Sequence, residues 1–564
     1  MDMSVIKISS DTLIDIEQNF RVSAGPGAGK TYWLTKHIEN VLHNSTRLGR
    51  SQKIACITYT NTAVETISER LKDTNGQVEV CTIHSFLYRN LVRYYLHFLS
   101  HEFGIDAINI KGHEDTVISN YKFLEKLKDA TGIQYVSDNA KLVHILSNMR
   151  WVLADKGNLI LEYDTWIKFG KYPLKKEIPL LYKKMAWSKG VLHHDDVLYF
   201  SLILIRRYPF ILKSLRAGFP YFFIDEFQDT NPIQAEILKQ IAETDTVFGI
   251  IGDVAQAIYG FQGADTVHFT TGMGIEFHDY IIEKNLRSSE KIVNVFNKVR
   301  SDIQQVANQT SLESEIILFV GNAFNCYDLI TEKHQVVDLI VLARRNDTAN
   351  SLKYKLPIGV KIKNLLVEFE GKDTVSFRRK TIIRTIKGVE LALVGNFRLS
   401  LKCIEKIFTS LNEDERILTS INYLSRLIVD YNKYCESTIL NFSNYISSIA
   451  NLQMPKYARG KAFEFTEQCT YKQLAVNISL EDEKSQFITI HKAKGEEYDS
   501  VLLNLVKESD LSFLLEPNLV ANEEHRINYV AISRAKRNLY INVPTLTEEN
   551  EQKMFELGVE VIRL

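Results

Sequence analysis

Short apolar runs alternate with stretches of helical period along much of the chain. Phe20-Arg21-Val22-Ser23 alternates apolar and polar positions and predicts a strand, and Trp33, Leu34, Ile38, Val41 and Leu42 then follow a helical spacing. Residues 53–60 (KIACITYT) predict a buried strand, after which Val64, Ile67 and Leu71 share one helix face. Val78–Thr82 predicts another short strand, and the apolar runs Pro220–Asp225 and Val247–Asp253 each end in an acid. Strands alternating with helices argue for a parallel α/β sheet. From about 87 to 205 the pattern changes to long helices rich in Leu, Tyr and Lys, such as Leu142–Ala154 and Ile178–Ala186. A second α/β block is expected to open near Tyr280-Ile281-Ile282 and to include Val336–Ala343. Residues 388–482 again read as mainly helical, before strands return at Phe487–Ile490 and Val501–Leu505. The predicted class is α/β: two parallel-sheet blocks, each with a mainly helical insertion.

Composition narrows the picture. A chain of 564 residues exceeds what one core can serve. Its formal net charge of −1 means that a nucleic-acid partner would sit in a local groove, not on a globally basic surface. The six cysteines show no CxxC spacing, which excludes a zinc ribbon or a disulfide framework. The first residues lack the basic and apolar regions of a signal peptide, and Val197–Ile205, interrupted by Ser201, is too short to cross a bilayer. The expectation is a cytoplasmic protein with no membrane partner. Between 344 and 387 lies a basic run that includes Arg345, Lys355, Lys361, Lys363, Arg378, Arg379 and Arg384. It reads as a solvated surface, with contact to a phosphate backbone as the alternative.

The chemistry begins after the first predicted strand. In Ala24-Gly25-Pro26-Gly27-Ala28-Gly29-Lys30-Thr31, small residues let backbone N–H groups turn onto a polyphosphate, and the following helix aims its positive end at the anion. Lys30 would reach the β- and γ-phosphates, and the Thr31 hydroxyl would ligate Mg²⁺. Ala24 stands where this pattern usually has Gly. Asp225 and Glu226 end a buried strand, where α/β folds place their ligands; one acid can hold Mg²⁺ and the other can take a proton from water. His193-His194-Asp195-Asp196 could suggest a metal cluster, but adjacent ligands do not share a helix face, and Asp195 fits a helix cap.

The motif order resembles the UvrD/Rep family of superfamily 1 DNA helicases. AGPGAGKT (24–31) and DEFQDTN (225–231) are joined by TYTNTAVETISERL (58–71), CTIHSF (81–86), GDVAQAIYGFQGAD (252–265), EKNLRSSEKI (283–292), TIHKAKGEEYDSV (489–501) and NYVAISRAKRNLYI (528–541). The resemblance implies two RecA-like motor domains. The first would comprise 1–88 and 206–278 with an insertion at 89–205; the second would comprise 279–375 and 484–564 with a short insertion at 376–483. It implies ATP and Mg²⁺ as cofactors, bound by Gly25, Gly27, Ala28, Gly29, Lys30, Thr31, Tyr32, Gly495 and Glu497, with Thr31 and Asp225 at the metal. Lys30, Asp225, Glu226, Gln256, Arg287 and Arg534 would form the catalytic set. Glu226 would be the base, Gln256 the γ-phosphate sensor, and the two arginines a clamp on the γ-phosphate from the second motor domain.

Tyr59, Asn61, His84, Tyr259, Phe261 and His491 would line a track for single-stranded or tailed duplex DNA, aromatic faces gripping any base. Structural roles stay open for Tyr59 and Phe261 as core aromatics and for His84 as a satisfied histidine. Leu286 stands where the family has an aromatic residue on adenine, a place Tyr32 could take, and Gln18 is the nearest glutamine to read adenine. Gln262 stands where a basic residue is common. The implied activity is an ATP-dependent translocase or helicase running 3′ to 5′. The alternative is a DNA-sensing ATPase that regulates a separately encoded nuclease, as in helicase-like subunits of anti-phage systems such as Gabija.

Overall fold

The computed structural model describes residues 5–564 apart from 73, 75, 115–116, 119–120, 134, 137–138, 155–156, 170, 310–312, 333–334, 337, 355–364, 451 and 479–484. The chain divides into two units. The first comprises Met1–Val293, Arg300–Thr310 and Leu519–Arg526; the second comprises Asn294–Val299, Ser311–Asn518 and Ile527–Leu564.

In the first unit the strands are β1 (Ile6–Ile8), β2 (Phe20–Ala24), β3 (Ile54–Thr58), β4 (Val78–Thr82), β5 (Arg150–Leu153), β6 (Leu159–Glu162), β7 (Lys168–Phe169), β8 (Tyr172–Pro173), β9 (Tyr221–Ile224), β10 (Val247–Gly252), β11 (His278–Ile282), β12 (Lys284–Ser289) and β13 (Val306–Gln309). Seven of them make one sheet in the order β1-β11-β2-β10-β9-β3-β4, with every pairing parallel. β3, β9 and β10 are buried at every position. A parallel sheet covered by helices on both faces has no wet side, so its central strands read as unbroken apolar runs. One face packs Phe20, Val22 and Phe223 against Trp33, Leu34 and Ile38 of the helix Lys30–Asn44. On the other, Phe222, Ile224, Phe248 and Ile250 meet the helices Ile83–Leu87, His194–Arg207 and Pro209–Gly218.

Two expectations change here. Tyr280-Ile281-Ile282 does not open a second sheet: it lies in β11, between β1 and β2, with Tyr280 opposite Ile6 and Val22. A hydrophobic run reveals that a strand is buried, not which neighbours it hydrogen-bonds. Leu142–Ala154 is not one helix. The helix Asn139–Ser147 ends, and β5 pairs antiparallel with β6, Trp151 facing Leu161. Trp and Val suit a pleated ribbon, and Gly157, at φ 76°, permits its turn. At its root the insertion packs into the sheet's own core. Leu91, Trp187, Phe200 and Leu204 share the sheet's core, whereas Phe123, Leu142, Ile178 and Tyr182 form a cluster of their own.

The second unit carries β14 (Ile316–Val320), β15 (Leu339–Ala343), β16 (Phe487–Thr489), β17 (Tyr498–Asn504), β18 (Ala535–Val543) and β19 (Glu560–Arg563). They form an all-parallel sheet in the order β16-β15-β17-β18-β14-β19. Residues 365–478 build a helical subdomain around Phe369, Ile386, Leu427, Phe442 and Tyr471. Much of the basic run holds this subdomain together. Arg378 pairs with Asp373 at 2.7 Å, lies 3.6 Å over the Tyr457 ring and donates to the carbonyls of Pro455 and Lys456. Arg379 and Arg384 likewise donate to backbone carbonyls, and Arg345 pairs with Asp347. For Arg378, 4% exposed, neither a solvated face nor a phosphate contact is the right description. Lys355, Lys361 and Lys363 lie outside the described residues. Among the described residues no helix is long and apolar enough to cross a membrane.

Candidate functional site

β2 ends at Ala24, and the helix Lys30–Asn44 begins after a single glycine-rich turn. Gly27 and Gly29 adopt φ of 69° and 79°, in the left-handed region where a side chain is strained. Gly29 is the N-cap and offers no side chain to the helix's first N–H groups, which therefore face the loop. Lys30 Nζ donates to the Ala24 carbonyl at 3.3 Å, folding back across the turn.

The acids at the end of β9 meet this loop. Thr31 Oγ1 donates to Asp225 Oδ2 at 3.2 Å, and the Glu226 N–H donates to Asp225 Oδ1 at 3.0 Å. Burial first, and then the neighbouring Glu226, push the Asp225 carboxyl up to about 6. Glu226 itself sits at φ 54°, ψ 38°, a costly conformation for a residue other than glycine. Gln228 Nε2 donates to Glu226 Oε2 at 2.5 Å, and Gln228 Oε1 accepts the Asp253 N–H at 3.0 Å. Asp253 in turn accepts from Gln256 Nε2 at 2.7 Å and from Arg300 at 3.0 and 3.1 Å. Burial alone would raise the Asp253 carboxyl, but the Arg300 guanidinium holds it below its ordinary value. A chain of hydrogen bonds therefore runs from the phosphate loop to Gln256.

The paired strands β12 and β13 strap the loop from the other side. The Leu286 N–H donates to the Gly27 carbonyl at 2.8 Å, and Asn285 Nδ2 and Gln305 Nε2 each donate to the Pro26 carbonyl at 3.0 Å. A Cβ on Gly25 would come within 2.5 Å of Gln305, and one on Gly27 within 2.7 Å of the Arg287 Cβ. These glycines thus give the loop its turn and admit the strap. Arg287 is brought beside the phosphate loop. Asn285, Gln305, Asp253, Gln228 and Arg300 were not singled out from the sequence; Asn285, Asp253 and Gln228 fall inside the family-like motifs, whereas Gln305 and Arg300 carried no signal.

Beyond Gln256 the same loop carries the aromatics. Tyr259 stacks on Tyr59 with ring centroids 4.7 Å apart, and Tyr59 Oη donates to Gln262 Oε1 at 2.5 Å. Phe261 is 58% exposed, and Arg150 Nη1 donates to its carbonyl at 3.2 Å. Tyr59, His84, Trp151, His194, Phe261 and Gln262 line one cavity of about 750 Å³. His84 lies near the rings of His113 and His194, and burial pushes its imidazole down to about 3, so it is neutral. Asn61 is exposed at the start of the helix Asn61–Arg70, which Thr60 caps.

The expectation for Asp195 resolves differently. Asp195 does not cap the helix His194–Arg207. Asp196, one residue on, accepts the His193 N–H at 3.0 Å, because the third helical position is the one that reaches back. Asp195 and Asp196 instead hold the buried Lys183 at 2.6 and 2.9 Å. Tyr32 donates to Asp11 Oδ1 at 3.2 Å with Lys36 over its ring at 4.6 Å, and Gln18 is exposed. In the second unit, Gly495 sits at φ 96°, Glu497 pairs with Lys536 at 3.1 Å, and His491 is half-buried just after β16. Arg534, 2% exposed, donates to the carbonyls of Val530 and Glu496 and to Ser533 Oγ.

Thr31 and Asp225 together offer hard oxygen donors of the kind Mg²⁺ takes, and a cation there would offset the burial that raises Asp225. The residues present therefore fit the ion.

Comparison with known proteins agrees with this geometry. The family described as UvrD/REP helicase N-terminal domain matches residues 9–272, and the UvrD-like helicase C-terminal domain matches 273–545. A probable DNA helicase II homolog of Rickettsia conorii is 25% identical, covering 96% of this chain and 91% of that protein. The ATP-dependent DNA helicase PcrA of Bacillus subtilis is 23% identical over 92% of this chain and 80% of its own length. Gabija protein GajB of Bacillus cereus is 26% identical over 56% of this chain, a match that spans only 52% of that protein. With both domains matched in order across residues 9–545, and with the phosphate loop, the paired acids and the aromatic loop assembled in one unit, the chain belongs to the UvrD/Rep helicase family.

Proposed function

We propose that this chain hydrolyses Mg-ATP to move along single-stranded DNA, 3′ to 5′, and separates duplex ahead of it. The observation that carries the reading is the unbroken hydrogen-bonded path from Thr31 through Asp225, Glu226, Gln228 and Asp253 to Gln256, three residues before Tyr259. It joins a phosphate cradle to an aromatic grip. When bound, Mg²⁺ supplies Lewis-acid stabilisation of the phosphate oxygens, with Thr31 and Asp225 as its protein-side partners.

The chain's own groups do the rest. The Glu226 carboxylate accepts the proton of the attacking water as its oxygen bonds to the γ-phosphorus, and the bond to the ADP oxygen breaks. Lys30 and Arg287 act on the charge that moves onto the phosphate oxygens, and Arg534 is the second arginine in that role. Gln256 reports the γ-phosphate to the Tyr259–Phe261 loop, whose rings stack on bases of any sequence.

Hydrolysis measured with and without single-stranded DNA, beside unwinding of 3′-tailed and 5′-tailed duplexes, tests the proposal. Stimulated hydrolysis with unwinding of the 3′-tailed duplex supports it, and absence of stimulation sinks it. A DNA-sensing ATPase acting with a partner nuclease is the alternative that the same assays separate. Stimulated hydrolysis without unwinding of either duplex is its signature.

A further inference from the structure

The loop that links Gln256 to the aromatic grips is fastened at two further points. Glu523 Oε1 accepts the Gly260 N–H at 2.8 Å. Three residues on, Arg526 Nε donates to the Ala257 carbonyl at 2.7 Å, while its Nη1 donates to the carbonyls of Leu519 and Val520 at 3.0 and 3.1 Å. Residues 523 and 526 share one face of a helix. Their partners, 257 and 260, bracket Tyr259 and immediately precede Phe261. Both contacts pair an ionised side chain with a backbone group, the stronger class of hydrogen bond. The fit at Gly260 is close: a Cβ there would lie 2.8 Å from Glu523 Oε1. The helix that opens at Glu523 runs to Ile532, two residues before Arg534.

We infer that Glu523 and Arg526 are positioning residues that hold the Tyr259–Phe261 loop in its gripping shape and make hydrolysis responsive to DNA. The inference rests on the translocase reading above. Neither side chain touches the phosphate loop or the acids in the contacts described, so their effect passes through the loop backbone.

The test is ATP hydrolysis with and without a single-stranded oligothymidylate, with its half-maximal concentration and the melting temperature, for wild type, Glu523→Ala, Gly260→Ala and the double variant. Expected are DNA-free hydrolysis within about twofold of wild type and an unchanged melting temperature, with stimulation cut about tenfold in each single variant. The double variant is expected to be no worse than the more affected single one, because both remove the same contact. Glu523→Gln, which keeps an acceptor for the Gly260 N–H, is expected to retain most of the stimulation. Should Glu523→Ala melt early, Gly260→Ala carries the test, since it displaces the carboxylate with one methyl group. Wild-type stimulation in Glu523→Ala and Gly260→Ala, or losses that multiply in the double variant, overturns the inference. A wild-type protein that DNA does not stimulate overturns the translocase reading itself, which separates the two failures.

Discussion

The acids at the end of β9 and the arginine just before β18 are held in opposite ways. Asp225 is buried beside a second carboxylate, with its proton affinity raised, and Glu226 sits in a strained backbone conformation. Arg534 is just as buried, yet its guanidinium is met by Val530, Glu496 and Ser533. The acids are costly as they stand and would be relieved by a cation. The arginine is already satisfied by its own unit. Substitutions of equal chemical severity should therefore have opposite effects on stability at the two places.

The largest effect expected is on turnover: Lys30→Ala and Glu226→Gln should each lower hydrolysis by about 10²–10⁴-fold, because each removes a group that acts on the reacting phosphate or water. If steady-state assays with DNA show either variant within a few-fold of wild type, the catalytic half of the comparison collapses. Next comes Arg534→Ala, which takes a donor from buried carbonyls and should destabilise the second unit by about 1–3 kcal/mol. Denaturant melts should show this, and Arg534→Lys should not repair it, since an ammonium lacks the planar fork.

Asp225→Asn should do the reverse. The folded carboxyl titrates near 6, above its ordinary 3.8. The stability of its protonated form is therefore fully present below 3.8 and lost as pH rises through 6. By pH 7.5 the cost approaches about 3 kcal/mol at the one-unit conversion of 1.36. The variant should melt a few degrees above wild type at pH 7.5 and level with it at pH 4, while failing to hydrolyse ATP. A lower melting temperature at pH 7.5 would show that Asp225 is not under the strain assigned to it.

Phe261→Ala sharpens the picture at an exposed position, where a melting temperature should hardly move. Losing one stacking ring is expected to weaken binding by about 1–3 kcal/mol, seen as a rise of about 5- to 150-fold in the oligothymidylate needed for half-maximal stimulation.

A further effect concerns His37, buried against Trp33, Phe20 and Phe223, whose ring nitrogens find no hydrogen-bond partner among the described residues. Burial pushes its imidazole down to about 4, so it withholds a proton that the unfolded chain takes up below 6.5. Stability should drain away as pH falls through that window. His37→Phe should flatten the loss in melts run between pH 7 and pH 5, a trend opposite in sign to that of Asp225 in the same window.

Much of this was legible in the chain. β3, β9 and β10 lie where apolar runs predicted them, since strands buried on both faces leave a mark that needs no partner to read, and β2 and β4 also lie where short strands were expected. The glycine-rich loop and the acids were legible for a similar reason: their chemistry demands particular residues at short, fixed spacings. What failed was longer-ranged. Nothing local in Tyr280–Ile282 distinguishes a strand between β1 and β2 from one that opens another sheet. Nothing local marks Gln305 as a clasp on Pro26, or Arg300 as the counter-charge of Asp253, 47 residues away. The Arg378 network was misread because a run of positive charge looks the same whether its guanidinium groups face water or carbonyls.

Local composition and spacing were enough to name the residues that would handle a triphosphate, because a phosphate cradle and a strand-end acid are made by neighbours in the chain. Which of those residues are strained, which are satisfied, and which distant side chains hold them came only with the packed chain. Burial and hydrogen-bond partnership belong to pairs of atoms brought together from far apart, and Glu523 beneath Gly260 is the clearest case.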